Sequence, residues 1–117
     1  MPFKFEKLLV WQKALDMTDL VHKLSAEFPR SEMFSLASQI NRAADSVSLN
    51  IAEGSTGQTN AEFKRFLNIA LRSNIEVVGC IHLAIRRGLI SKEDFNAIYS
   101  MCEEILVMIN GSKNALK

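Results

Sequence analysis

The sequence predicts an all-α protein, an antiparallel four-helix bundle of up-down-up-down order. Apolar residues recur at spacings of three and four along four long segments, and the breaks between the segments are short. No segment of useful length alternates apolar and polar residues at a period of two, so strands are not expected. The predicted helices cover residues 8–28, 33–53, 60–87 and 91–110. With 117 residues, 48% of them hydrophobic, the chain (1–117) is expected to form a single domain.

Proline and glycine bound the first two predicted helices. The first is expected to stop at Pro29, and the second to begin after Ser31 or Ser35 as N-cap. Gly54 is expected to end the second helix as a C′ glycine in the left-handed conformation. The apolar stripe of the first helix is Val10, Ala14, Met17, Val21, Leu24 and Phe28. That of the second is Leu36, Ile40, Ala43, Ala44, Val47 and Ile51.

Hydroxyl residues mark the starts of the other two helices. Thr59 with Glu62 three residues on predicts a capping box, and Ser91 with Asp94 predicts the same device before the fourth helix. Gly88 is expected to separate the two helices. The third stripe is Phe63, Leu67, Ala70, Asn74, Val77, Ile81 and Ile85. The fourth is Phe95, Ile98, Cys102, Ile105 and Ile109.

Composition indicates a cytoplasmic protein. Cys80 and Cys102 lie in apolar periodic segments, which favours buried free thiols in a reducing compartment. The N-terminal sequence MPFKFEKLLVWQK has lysines on both sides of a short apolar run, which is typical of neither a signal peptide nor a membrane span. The formal charge of +1 predicts no strong overall attraction to nucleic acid or to anionic lipid, so any basic surface must be local.

The third helix carries a second apolar face beyond its core stripe. One interpretation is a wide core-facing arc with a few exposed aliphatic residues; the other, which we favour, is an interface between subunits. The candidate interface residues on this helix are Phe66, Ile69, Leu71, Ile75 and Val78, with Leu83 also apolar. Trp11 and Leu15 of the first helix are candidates to extend the interface.

No pattern in the sequence indicates an enzyme. The motifs of serine hydrolases, P-loops, dinucleotide-binding folds and zinc proteases do not occur, and His22 and His82 lack ligands at metal-binding spacing. Glu53 and Glu76 would lie about 24 Å apart along the helix axes, which excludes a carboxylate dyad within one subunit. We therefore expect no catalytic residue, cofactor or metal.

Local charge is more informative than net charge. Residues 60–87 carry five cations against two carboxylates, a net +3, whereas residues 91–110 carry a net −3. The cations of the third helix are therefore candidates for phosphate contacts, together with one arginine of the second helix. The alternative is a solvated face with some ion pairs between subunits. The candidates are Arg42, Lys64, Arg65, Arg72, Arg86 and Arg87.

The second helix bears a polar stripe beside its apolar one. Arg42, Ser46, Asn50 and Glu53 follow one another at spacings of four, four and three. Small neighbouring residues would let the third helix come close, so we expect hydrogen bonds across to it that fix helix register, and a ligand site is the alternative. The expected partners on the third helix are Asn68, Arg72 and Ser73.

Three runs of the sequence resemble the 23S rRNA intervening sequence protein family. They are FEKLLVWQKA, FPRSEMFSLASQINRAADSVSLNIAEGS and EFKRFLNIALRSNIEVV, within a match over roughly residues 3–90. The resemblance implies a bacterial antiparallel four-helix bundle that assembles into a homo-oligomer, a pentameric ring. It also implies similarity to the accessory variability determinant of diversity-generating retroelements, a pentamer that binds a reverse transcriptase and nucleic acid through a basic surface.

Two functional hypotheses follow. The first is a non-enzymatic homo-oligomer that binds RNA through the basic residues of the third helix, in a salt-sensitive and weakly sequence-selective manner. The alternative is a protein-interaction or scaffolding module whose basic residues make structural ion pairs. Neither hypothesis involves a membrane.

Overall fold

The computed structural model describes residues 2–57 and 59–116 of the chain. Its four long helices are α1 (Leu9–Ser25), α2 (Leu36–Ser55), α3 (Asn60–Arg86) and α4 (Lys92–Ala115). Short 3-10 helices, Lys4–Lys7 and Arg30–Glu32, precede α1 and α2. Over the described residues there is no strand, which confirms the predicted all-α class.

Helix ends differ from the predicted ones by a few residues. α1 stops at Ser25 rather than Phe28, because the chain turns ahead of Pro29, where a helical conformation is disfavoured. α2 begins at Leu36, with Ser35 at its N-cap. α4 continues to Ala115, five residues past its predicted end, since no residue in its last turns forces the helix to stop.

The prediction for Gly54 was wrong. This glycine lies inside α2, and Gly88 is the one residue with a positive φ, 72°, in the part of the chain that the structure describes. At the end of α3, the N–H of Leu89 donates to the carbonyl of Ala84 at 2.9 Å. This is a Schellman motif, in which the left-handed residue is usually glycine because it has no β-carbon to clash.

Both predicted hydroxyl caps are confirmed. The N–H of Glu62 donates to Thr59 Oγ1 at 3.1 Å, and the N–H of Asp94 donates to Ser91 Oγ at 3.1 Å. Ser35 makes no such bond to α2, because its hydroxyl donates backwards to Glu32 at 2.8 Å. The starts of α3 and α4 are thus set by local sequence.

The core lies between the four helices. α1 packs against α2 and α4, and α3 packs against the same two helices. Most residues of the four predicted stripes are buried. The exceptions are half-buried at the margins of the core: Leu24, Phe63, Ile85 and Phe95. The largest fully buried apolar side chains are Met17, Ile51, Leu67, Ile81, Ile98, Ile105 and Ile109. None of the helices, over the described residues, is long and apolar enough to cross a membrane.

Polar contacts between α1 and α2 follow a consistent order along the chain. Thr18 Oγ1 donates to Asp45 Oδ1 at 2.7 Å, and Ser25 Oγ donates to Asn41 Oδ1 at 2.8 Å. A residue later in α1 therefore meets a residue earlier in α2.

Candidate nucleic-acid interface

Three arginines share the outward face of α3. Arg65, Arg72 and Arg86 are separated by seven and fourteen residues, which returns each side chain to nearly the same side of the helix. At a rise of 1.5 Å per residue the three span about 32 Å. All three are exposed, and none forms an ion pair with any described residue. Their charge is therefore free to meet an external anion.

Arg65 has a defined position over an aromatic ring. Its Cζ lies 4.7 Å from the centroid of the Phe66 ring, the geometry of a cation–π contact. Arg65 and Arg72 border the same open depression, which Asn68, Ile69 and Leu71 complete. Two unpaired guanidinium groups with Asn68 between them present planar hydrogen-bond donors of the kind that bind phosphate oxygens.

The other α3 cations are placed differently. Arg87 lies 3.3 Å from Glu32 Oε1, an ion pair that ties the end of α3 to the 3-10 helix before α2. Lys64 is half-buried and forms no ion pair with a described residue. The structure thus brings together Arg65 and Arg72 and sets Arg87 apart as a paired charge.

Arg42 lies along the seam between α2 and α3. It lines a shallow depression together with Ser46, Ser73 and Glu76. Gln39 Nε2 donates to Glu76 Oε2 across the seam at 3.3 Å. The depression that Arg42 borders therefore contains a carboxylate, whereas the residues that line the depression of Arg65 and Arg72 include none.

The polar stripe of α2 does reach α3. Ser73 Oγ donates to Ser46 Oγ at 2.8 Å, and Asn50 Nδ2 lies 2.9 Å from the same Ser46 oxygen. Asn50 Nδ2 also donates to the Ser46 carbonyl at 2.8 Å. Of the expected α3 partners it is Ser73 that joins this network over the described part of the chain, and Glu53 is exposed outside it. The small side chains of Ser46 and Ser73 hold the two helices together by a polar contact.

A second polar cluster joins α1 to α2 and was missed by sequence reasoning. His22 Nε2 lies 2.9 Å from Asp45 Oδ1, which also accepts the hydrogen bond from Thr18. The available signal was the four-residue spacing of Thr18 and His22, which places both on one side of α1. Because the His22 and Asp45 side chains are each nearly half exposed, water screens their interaction.

The candidate interface residues divide into two groups. Trp11, Leu71 and Val78 are half-buried against the protomer's own core, and Leu15 and Phe66 are half-buried as well. Trp11 also contacts the Phe5 ring edge-on, at 4.8 Å between centroids. By contrast, Ile69 and Ile75 are 37% and 57% exposed, and Leu83 is 43% exposed. The uncovered apolar surface of α3 is therefore narrower than the predicted face.

Both cysteines are free and buried, as predicted. Burial raises the pKa of Cys102 to about 12. Burial, with a smaller contribution from the charge of Glu76, also raises the pKa of Cys80. A raised pKa keeps a thiol protonated and unreactive, so these two residues act as small core side chains.

Asn74 is the buried polar residue of the α3–α4 contact. Its Nδ2 donates to the carbonyl of Cys102 at 2.8 Å, while its Oδ1 finds no partner among the described residues. Within residues 2–57 and 59–116, no group of three or more histidine, cysteine, aspartate or glutamate side chains is placed to hold a metal ion. The chemistry that the arrangement supports is the binding of anions by exposed guanidinium groups.

Comparison with known proteins identifies a family and a solved structure of similar fold. The chain is similar to a crystal structure from Bacteroides thetaiotaomicron, a protein of unknown function from the S23 ribosomal protein family. The TM-score is 0.85 at 27% sequence identity, over 92% of this chain and 96% of that one. No curated protein matches the chain. The model of the 23S rRNA-intervening sequence protein family matches residues 6–111, and the chain belongs to this family.

Proposed function

We propose that this protein is a non-enzymatic homo-oligomer that binds RNA through the basic residues of α3. The observation that carries the proposal is the pair Arg65 and Arg72, two exposed guanidinium groups that border one depression and form no ion pair with a described residue. Lys64 lies beside them in sequence, and Arg42 and Arg86 would supply further contacts, whereas Arg87 would first have to leave its ion pair with Glu32.

The proposed contacts are made to phosphates rather than to bases. Arg65 and Arg72 lie about 10 Å apart along the helix, at 1.5 Å per residue. Contacts of this kind position a nucleic acid without reading its sequence, and they weaken as salt concentration rises. A homo-oligomer would repeat the two arginines in every copy, which raises affinity through multivalency.

The family name also supports RNA as the nucleic acid. Members are named for sequences that intervene in 23S rRNA, and the similar crystal structure belongs to a ribosomal protein family, although its own function is unknown. Both names associate relatives of this chain with ribosomal RNA, which supports RNA as the proposed ligand.

The proposal includes a specific architecture. We infer an antiparallel up-down-up-down bundle in one domain, supported by the order of the contacts that join Thr18 to Asp45 and Ser25 to Asn41. The exposed Ile75 and the family resemblance support a homo-oligomer, for which we propose a pentameric ring in the cytoplasm.

Titration of a fluorescent structured RNA tests the proposal. Affinity should fall steeply between about 50 and 200 mM salt, and the Arg65→Gln/Arg72→Gln variant should lower the slope of log K against log salt by roughly 2 for each copy that contacts the RNA. Lys23→Gln/Lys92→Gln is the matched control, because it removes the same charge from exposed sites on α1 and α4. Absence of binding at both salt concentrations, with the oligomer intact, would reject the RNA-binding role.

The exposed aliphatic residues favour a second candidate function, a protein-interaction module. Ile75 and Leu83 are uncovered in the protomer, as residues of a docking surface would be. Affinity capture from native lysate with and without nuclease separates the two candidates. Partners that survive nuclease treatment favour the interaction module, and partners that disappear favour RNA.

A further inference from the structure

No contact within the described protomer explains why residue 79 is a glycine. It lies in the second half of α3 and is exposed, and a β-carbon built on it would meet no atom of any described residue within 4 Å. A glycine in a helix interior is less stable than alanine there because it loses more backbone entropy on folding. At Gly54 the approach of Phe66 explains the absence of a side chain, but no such neighbour exists at Gly79 within the described chain.

The surroundings of Gly79 are apolar and uncovered. Ile75 and Leu83 lie one turn before and one turn after it, and they are 57% and 43% exposed. Arg86, seven residues after Gly79, is exposed and forms no ion pair with a described residue. A glycine between two aliphatic residues lets the backbone of a second helix approach closely.

α4 carries a face with the complementary properties. Gly111 is also exposed, and a β-carbon added to it would meet no atom within 4 Å in the described part of the chain. Val107, one turn before it, is 66% exposed. Glu103, one turn before Val107, is exposed and has no ion-pair partner among the described residues. The helices that carry the two faces also differ in net charge, with +3 for residues 60–87 and −3 for residues 91–110.

We propose that the Gly79 face of α3 in one copy packs against the Gly111 face of α4 in a second copy. With the two helices antiparallel and the glycines opposed, Leu83 meets Val107 of the neighbour, because each lies four residues from its glycine on the appropriate side. This inference rests on the homo-oligomer of the proposed function and names its contact surfaces.

The same register brings opposite charges together. Arg86 lies seven residues after Gly79, and Glu103 lies eight residues before Gly111, so both fall about 11 Å from the glycine contact on the same side. Complementary charges of this kind select the partner and its register. The contact assigns Arg86 to assembly rather than to RNA. Ala115, the last residue of α4, falls opposite Ile75, so the contact ends before Arg72 and Arg65.

Because the two faces differ, the contact is heterologous. Every copy offers one α3 face and one α4 face, so successive copies form a closed ring if the rotation between them closes and an open chain if it does not. A contact of one face with itself would instead give a two-fold dimer.

Charge reversal tests the contact, with assembly measured by sedimentation equilibrium in the absence of nucleic acid. Arg86→Glu and Glu103→Arg should each raise the dissociation constant about tenfold or more, since like charges then face each other. The double variant should return to within about threefold of wild type, because a single chain then supplies both reversed faces. Single reversals without effect, or a double variant that fails to recover, would overturn the proposed contact.

Gly79→Gln provides a test that does not depend on charge. Glutamine favours helix and enters open space, so the protomer should keep its helical content while assembly weakens at least tenfold. Unchanged assembly of this variant would contradict the contact. A wild-type protein that is monomeric at every concentration would reject the homo-oligomer itself. If Arg65→Gln/Arg72→Gln loses RNA binding but still assembles, the result supports the proposed RNA-binding site and agrees with a contact that excludes these two arginines.

Discussion

Gly54 of α2 and Phe66 of α3 approach so closely that a β-carbon on Gly54 would lie 2.5 Å from the β-carbon of Phe66. The Phe63 ring would lie 3.1 Å away. Gly54 is buried in the last turn of α2, just before the short turn into α3. The glycine therefore allows the two helices to pack closely where the chain reverses.

Gly54→Ala should destabilise the protein although alanine favours helix. Overpacking typically costs about 1–3 kcal/mol, which exceeds the gain of about 0.5–1 kcal/mol in helix propensity. Urea unfolding should show a lower midpoint with an unchanged m value. The matched control is Gly79→Ala, which enters open space and should raise protomer stability when both variants are measured at concentrations low enough to keep the copies apart. Equal stability of Gly54→Ala and wild type would refute the steric explanation.

Asn74 should prove replaceable by an apolar residue and intolerant of charge. Asn74→Leu removes the unpartnered Oδ1 at the loss of one hydrogen bond, so the free energy of unfolding should change by less than about 1.5 kcal/mol. Asn74→Asp should lose about 3–5 kcal/mol at pH 7, because it buries an unpaired carboxylate.

The pH dependence of Asn74→Asp gives a further check. Burial raises the pKa of a carboxyl group, so the folded variant holds its proton to higher pH than the unfolded chain does. Its deficit relative to wild type should therefore be smallest near pH 3 and grow as pH rises. If the stability deficit of Asn74→Asp were the same at pH 3 and pH 7, the carboxylate would have to be exposed to water.

The contact of Ser46 with Ser73 should appear as a coupling energy. Each serine replaced by alanine should cost about 0.5–1.5 kcal/mol, because the hydrogen bond between the two hydroxyls is lost, while Ser46 Oγ keeps its contact with Asn50 Nδ2 in Ser73→Ala. In a double-mutant cycle the two changes should cost less together than the sum of the separate costs, with an interaction energy of about 0.5 kcal/mol or more. Strict additivity would indicate that the hydroxyls do not bond in solution.

Cys102 should make the protein sensitive to alkaline pH. Its pKa rises from an ordinary 9.0 to about 12 on folding, so between these values the unfolded chain releases a proton that the folded chain retains. The contribution of this thiol to the free energy of unfolding is thus fully present below pH 9. It falls as pH rises, with a slope approaching about 1.4 kcal/mol per pH unit. Cys102→Ala should show a shallower decline between pH 9 and 10.5. Parallel curves for the two proteins would contradict the assignment.

Local signals in the sequence account for the helices and most of the core. The spacing of apolar residues located all four helices, and Thr59 and Ser91 marked the starts of α3 and α4 because a capping bond involves residues only three apart. The free arginines of α3 were identified as candidates from charge alone. What charge did not show is that Arg87 is paired with Glu32, a residue 55 positions away.

The sequence by itself determined that this chain forms four amphipathic helices and that α3 is basic, since periodicity, capping and charge are properties of neighbouring residues. Only the tertiary structure decided the role of Gly54. This residue is a glycine because Phe66 of another helix packs against it, and not because its own helix ends there in a turn. The same holds for the hydrogen bond of Ser73 to Ser46 and for the uncovered face around Gly79. Contacts between helices depend on how the helices pack, and the residue pattern along one helix does not specify which residues of another helix it contacts.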